Sequence, residues 1–72
     1  MTYIIKNKYT NAIVTSIYRG RRYHEYITRN KNFFNTRKNL KKPPMLFSLQ
    51  EARILLLLNK SRRRFRIIPN II

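Results

Sequence analysis

The stretch SLQEARILLLLNKSRRRFR, residues 48–66, changes character at its midpoint: the first half is apolar and the second half is cationic. Ser48 followed by Glu51 has the spacing of a capping box, in which the hydroxyl takes a free amide of the first turn and the carboxylate reaches back to the cap. This predicts a helix beginning at Leu49 and running within residues 48–60. Ile54, Leu55, Leu56, Leu57 and Leu58 are consecutive, so at roughly 100° per residue they surround the helix and cannot all face one neighbour. Pro43 and Pro44 discourage extension backwards, and Lys60, Arg62, Arg63 and Arg64 follow where the carbonyl end of the helix dipole is negative. The expectation is an apolar helix with a cationic exit and little else in the chain to cover it.

At 72 residues the chain is at most one domain, and a domain of this size buries only about 60% of its unfolded surface. It has no cysteine, which excludes disulfide staples and thiolate zinc sites. Lys and Arg number 17 against two acids, Glu25 and Glu51, for a formal net charge of +15. Such self-repulsion opposes compaction until counter-charge is supplied, and a polyanion is the natural supplier. Residues 54–58 fall far short of the roughly 20 apolar residues of a membrane span. A removable targeting leader is not expected either, because the Arg-rich, acid-poor character extends along the whole chain. Ile, Asn, Lys, Tyr and Phe dominate while Gly occurs once, a bias typical of AT-rich coding. An organellar protein is expected on that ground, mitochondrial ahead of plastid.

Upstream, residues 1–9 (MTYIIKNKY) read as an extended arm. In residues 10–18, Ile13, Val14, Ile17 and Tyr18 fit helical spacing, whereas the β-branched run AIVTSI fits a strand, so periodicity alone leaves helix and hairpin open. Gly20 suits a helix cap or a turn. Residues 21–30 set Tyr23, Tyr26 and Ile27 on one helical side and Arg22, Glu25 and Arg29 largely on another. Residues 30–44, with four asparagines, five basic residues and a closing diproline, read as a basic loop carrying Phe33 and Phe34. The tail FRIIPNII, residues 65–72, is apolar enough to dock on something. The fold class expected from these pieces is mainly α: a small helical protein with basic loops and extended termini.

Catalysis is excluded by content. One histidine, two isolated carboxylates and no cysteine leave no acid–base pair, no activated nucleophile and no metal cluster. His24 is best read as a packing or RNA-edge residue, Glu25 as an ion-pair partner of Arg21, Arg22 or Arg29, and Glu51 as a cap. No cofactor is expected. The cations form three clusters: Arg19, Arg21 and Arg22 with Arg29 and Lys31 beyond; Arg37, Lys38, Lys41 and Lys42; and Lys60, Arg62, Arg63, Arg64 and Arg66, with Arg53 on the helix. A lone charge run is usually a solvated face, but here every segment is basic. A sequence pI near 11.5 with clustered arginine is the footprint of a nucleic-acid binder. Arginine exceeds lysine ten to seven, which suits bidentate phosphate contacts and stacking on bases.

Phe33 and Phe34 are candidates to stack on unpaired bases, with burial in a core the equal alternative. Ile54, Leu55, Leu57 and Leu58 are candidates to meet a protein partner. RNA is favoured over DNA because the helix carries leucine where a groove reader needs polar side chains. A membrane-surface role is disfavoured because charge and apolar residues do not segregate to two faces of one helix.

Two stretches carry a family resemblance. ARILLLL, residues 52–58, resembles the end of the C-terminal helix of bacterial-type small-subunit ribosomal protein eighteen, and YITRNKNFFNTR, residues 26–37, resembles that family's helix end and the basic segment after it. The chain departs from the pattern at Pro43 and Pro44, and again at Asn59 and Lys60. YITRNKNFFNT with the following lysines is similar, more distantly, to the large-subunit ribosomal protein thirty-three family. The first resemblance implies a mainly helical protein of the small subunit that contacts ribosomal RNA, with Arg37 and Arg53 the matched cations. It also implies packing beside ribosomal protein six. The function expected is that of a ribosomal component bound to RNA through dispersed phosphate contacts and to a neighbouring protein through its leucines.

Overall fold

The N-terminal residues expected to form an arm instead build a strand, β1 (Tyr3–Asn7), in which Ile5 points inward and Ile4 and Lys6 point to the opposite face. The structure is a computed structural model and describes residues 1–17, 32–38 and 42–70. Asn7 ends β1 by turning its own backbone: its Oδ1 accepts the N–H groups of Tyr9 and Thr10 at 2.9 and 3.0 Å. Asn11 takes the left-handed conformation at φ 61°, which asparagine tolerates better than most residues. The chain then returns antiparallel as β2 (Ile13–Ile17).

β3 (Phe34–Arg37) pairs antiparallel with β2, and β4 (Phe65–Pro69) pairs antiparallel with the other side of β1. The strand order is β3-β2-β1-β4, which is the Greek-key order. Between β3 and β4 lies one helix, α1 (Leu49–Leu58), packed on β1 and β4. The mainly α expectation is overturned: 38% of the described residues are strand and 25% helix. The predicted basic loop contains β3, and the apolar tail docks within the chain, as β4 on β1. Residues 18–31, which include the segment expected to be helical and Gly20, lie outside the described residues.

The ambiguous spacing in residues 13–18 has a structural cause. Val14 pairs with Thr36 but Ser16 pairs with Asn35, so β2 carries one extra residue at Thr15, a β-bulge. Without it, strict alternation would send Val14 and Ile17 to opposite faces. With it, both face the core three residues apart, imitating one turn of a helix.

Helix α1 begins where the capping box places it. Ser48 Oγ accepts the Glu51 N–H at 3.1 Å, a bond whose loss typically costs about 1 kcal/mol. Ala52 and Leu55 are buried against the sheet and Leu56 and Leu58 are half-buried, whereas Ile54 and Leu57 face outward. The sheet therefore covers the helix in part, where the sequence suggested that the chain had little else with which to cover it. The rest of the core is Ile5, Val14, Phe33, Phe34, Phe47 and Phe65. Residues 45–47 are knitted into it: Phe47 exchanges both backbone bonds with Tyr3, and the Met45 N–H donates to the Val14 carbonyl.

Phe34 and Phe65 lie on the two edge strands, yet their ring centroids are only 5.0 Å apart and their planes meet at 77°. Three strand spacings of roughly 4.8 Å would separate the edges of a flat sheet by about 14 Å. The sheet must therefore curl until its edges bring these side chains together beneath α1. Phe33 completes an edge-to-face chain, 5.0 Å from Phe34; each such ring pair adds about 0.5–1.5 kcal/mol beyond its area.

Asn59, fully buried, pins the helix exit to this curl. Its Nδ2 donates to Asn32 Oδ1 at 3.1 Å and its Oδ1 accepts the Ser61 N–H at 2.8 Å. Two predictions follow from this packing. Leu55→Ala should cost about 2–5 kcal/mol in urea unfolding, while Leu57→Ala on the exposed side stays within about 0.5 kcal/mol; equal losses would contradict the orientation of α1. Asn59→Leu, which keeps the volume but strands the Ser61 N–H, should lower stability by about 1–3 kcal/mol, and an unchanged thermal midpoint would show that the buried amide holds nothing.

Candidate nucleic-acid interface

Antiparallel partners share a face of the sheet, so the register alone assembles a row of side chains across all four strands on the face opposite α1. Arg37 pairs with Ile13, Ile13 with Lys6, and Lys6 with Arg66. Arg37 and Arg66 are exposed and Lys6 is partly so. Beside this row lie Ile4 opposite Ile68, and Ser16, whose Oγ accepts a bond from Asn35 Nδ2 at 3.2 Å. The curl that closes the core makes this outer face convex. Three cations thus span an arc of about 14 Å.

A second cationic feature lies at one end of the sheet. Ser61 and the three arginines after it make a single 3₁₀ turn (Arg62–Arg64), held at the start by Arg62 N–H donating to the Asn59 carbonyl and at the end by Phe65 N–H donating to the Arg62 carbonyl. At three residues per turn the three side chains diverge by about 120°. Lys8 is tied to the same turn, its N–H donating to the Arg64 carbonyl at 2.7 Å. Lys60, Ser61, Arg62, Arg63 and Arg64 line an open groove of about 420 Å³. A neighbouring groove of about 410 Å³ shares Arg62 and Arg63 and adds Lys8 and Arg53 over a floor of Leu56, Leu57, Phe65 and Ile67.

Of the cations read from the sequence, Arg37, Lys38, Lys42, Arg53, Lys60, Arg62, Arg63, Arg64 and Arg66 are all exposed. Arg19, Arg21, Arg22, Arg29, Lys31 and Lys41 lie outside the described residues. The base-stacking candidates are corrected: Phe33 and Phe34 are 2% and 5% exposed, locked into the aromatic core. Their neighbours are basic and polar, which is why the sequence left them even between core and surface. Leu55 is corrected in the same way, from partner contact to core, and Leu58 packs partly against the core. Ile54 and Leu57 stay outward. Sequence reasoning missed Lys6 and Lys8, although the alternation of Ile5 against Ile4 and Lys6 was a signal for them.

Among the described residues no three His, Cys, Asp or Glu side chains gather to hold a metal ion, and no helix is long and apolar enough to cross a membrane. Comparison with family models, curated proteins and solved structures returns no match. The surface itself carries the functional reading. Its charge is unbalanced, since Glu51 is the single acidic side chain among the described residues against eleven Lys and Arg. Two like charges about 7 Å apart in water repel by about 0.6 kcal/mol, and salt screens them over about 10 Å at 0.1 M. The free protein should therefore melt several degrees higher at about 300 mM than at about 20 mM sodium chloride, measured by circular dichroism. A melting temperature that falls with salt would mean that the cations are internally compensated.

Proposed function

We propose that this chain is a structural RNA-binding protein of a ribonucleoprotein particle, most economically the ribosome. In this reading the outer sheet face and the arginine turn hold folded RNA, and the helix side meets a neighbouring protein. The observation that carries it is the cross-strand row of Arg37, Lys6 and Arg66. Like charges placed opposite each other on adjacent strands destabilise a sheet, and Lys6 faces Arg66 directly. A ligand with closely spaced negative charge relieves that repulsion, and a phosphate backbone has such charge. Guanidinium groups add bidentate phosphate contacts.

The convex shape of the face favours folded RNA. A convex basic surface can sit between two backbones across the wide, shallow minor groove of an A-form helix, where shape and phosphates dominate recognition. With Phe33 and Phe34 buried, sequence-specific stacking by those rings has no part in the mechanism. The groove at residues 60–64 extends the same chemistry to a further phosphate. The AT-rich residue bias supports an organellar ribosome, mitochondrial ahead of plastid.

The test is the salt dependence of binding to a structured RNA. Each phosphate contact contributes about 0.7–0.9 to the slope of log affinity against log salt. The combined substitution Lys6→Gln, Arg37→Gln, Arg66→Gln should therefore flatten the slope by about 2 while leaving the fold intact. An unchanged slope would remove the sheet face from the mechanism. Tighter binding to anionic vesicles, or to duplex DNA, than to RNA at the same salt would replace RNA as the partner.

A further inference from the structure

The groove between α1 and β4 shares Arg62 and Arg63 with the arginine turn but adds an apolar lining that the phosphate-binding surfaces lack. Its floor is Leu56, Leu57, Phe65 and Ile67, and its walls carry Lys8, Arg53, Arg62 and Arg63. Leu57 is 71% exposed, and Ile54, one turn earlier on the same side of the helix, is 50% exposed. We infer that this groove is the docking site for an acidic protein segment with apolar anchors, whose leucine-like side chains fill the floor and whose carboxylates meet the four cations. An apolar centre within a charged rim is the anatomy of a protein interface.

Charge and shape select this occupant. The walls are uniformly cationic, and Glu51, the single acid among the described residues, lies in the separate groove beside Ser48, Gln50 and Ile54. A purely apolar partner would leave four cations partly desolvated and unpaired. A phosphate backbone would leave the leucines in water. Unpaired bases stack on aromatic or guanidinium faces, but three of the four floor residues are aliphatic and Phe65 is only 4% exposed. A lipid surface favours apolar residues spread along one side of a helix, whereas these apolar residues are drawn from both a helix and a strand and lie among four cations.

The inference rests on the reading of the helix side as protein-facing, and its test separates it from RNA binding. The probe is a fluorescein-labelled amphipathic peptide with glutamates and leucines at helical spacing, read by anisotropy against the full chain. Two control peptides carry Leu→Ser or Glu→Gln throughout. The parent peptide should saturate, and each control should bind at least about tenfold more weakly, since burying one leucine is worth about 1.5–3 kcal/mol. Leu57→Ser in the protein should weaken the peptide by about fivefold or more without changing the RNA salt slope. The triple sheet-face variant should do the reverse. A Leu→Ser peptide that binds as well as the parent would reduce the effect to bulk charge attraction and overturn the inference. So would peptide binding indifferent to Leu57, or tighter binding of anionic vesicles than of the peptide that is likewise lost with Leu57→Ser. Loss of RNA binding alone would sink the sheet-face reading and leave the groove standing.

Discussion

Five consecutive residue pairs, Tyr3 with Pro69 through Asn7 with Phe65, join the two ends of the described chain, and nearly everything else follows from that ladder. It converts an N-terminal arm and an apolar tail into neighbouring strands. It fixes where α1 must lie, because the helix is tethered to β4 by only residues 59–64. It also carries a cost, since the same register sets Lys6 opposite Arg66. Ile5 against Ile67 on the inner face and Ile4 against Ile68 on the outer face offset that cost by burying apolar surface, at about 25 cal/mol per Å².

The core is small, and its economy lies in aromatic side chains that reach between elements. Phe34 from one edge strand meets Phe65 from the other, while Phe47 leaves the segment before α1 to bond with Tyr3. Curling the sheet around these rings lets a short chain enclose a dry centre with one helix as its lid. The curl also separates the two surfaces chemically. The inner face is consumed by the core, and the outer face is left to charged and polar residues together with Ile4, Ile13 and Ile68. Asn59 is the one buried polar side chain among the described residues, and its amide is paired on both the donor and the acceptor side. A paired amide at the helix exit specifies one turn geometry where a leucine would allow several.

Charge and packing therefore pull in different directions in this molecule. Packing brings the chain ends together, and with them Lys6, Lys8, Arg64 and Arg66. Electrostatics resists that gathering until anions arrive. Bound anions would relieve that repulsion, and the exposed Leu57 sits on a different side from the cross-strand row.

Local signals were legible in the sequence. The capping box placed the start of α1, because a side-chain bond between residues three apart depends on nothing distant. Net charge was legible too, because composition does not change on folding. The helical reading of the chain failed because the strands are short and their partners remote: β4 lies about sixty residues from β1, and the bulge at Thr15 disguised a strand as a helical turn. Burial of Phe33, Phe34 and Leu55, and the convergence of Lys6 with Arg37 and Arg66, depend on register across strands. The sequence by itself determined how much charge the protein carries and where its helix begins; only tertiary pairing decided which apolar residues are hidden and which cations stand together, because those properties belong to contacts between segments that one-dimensional spacing does not contain.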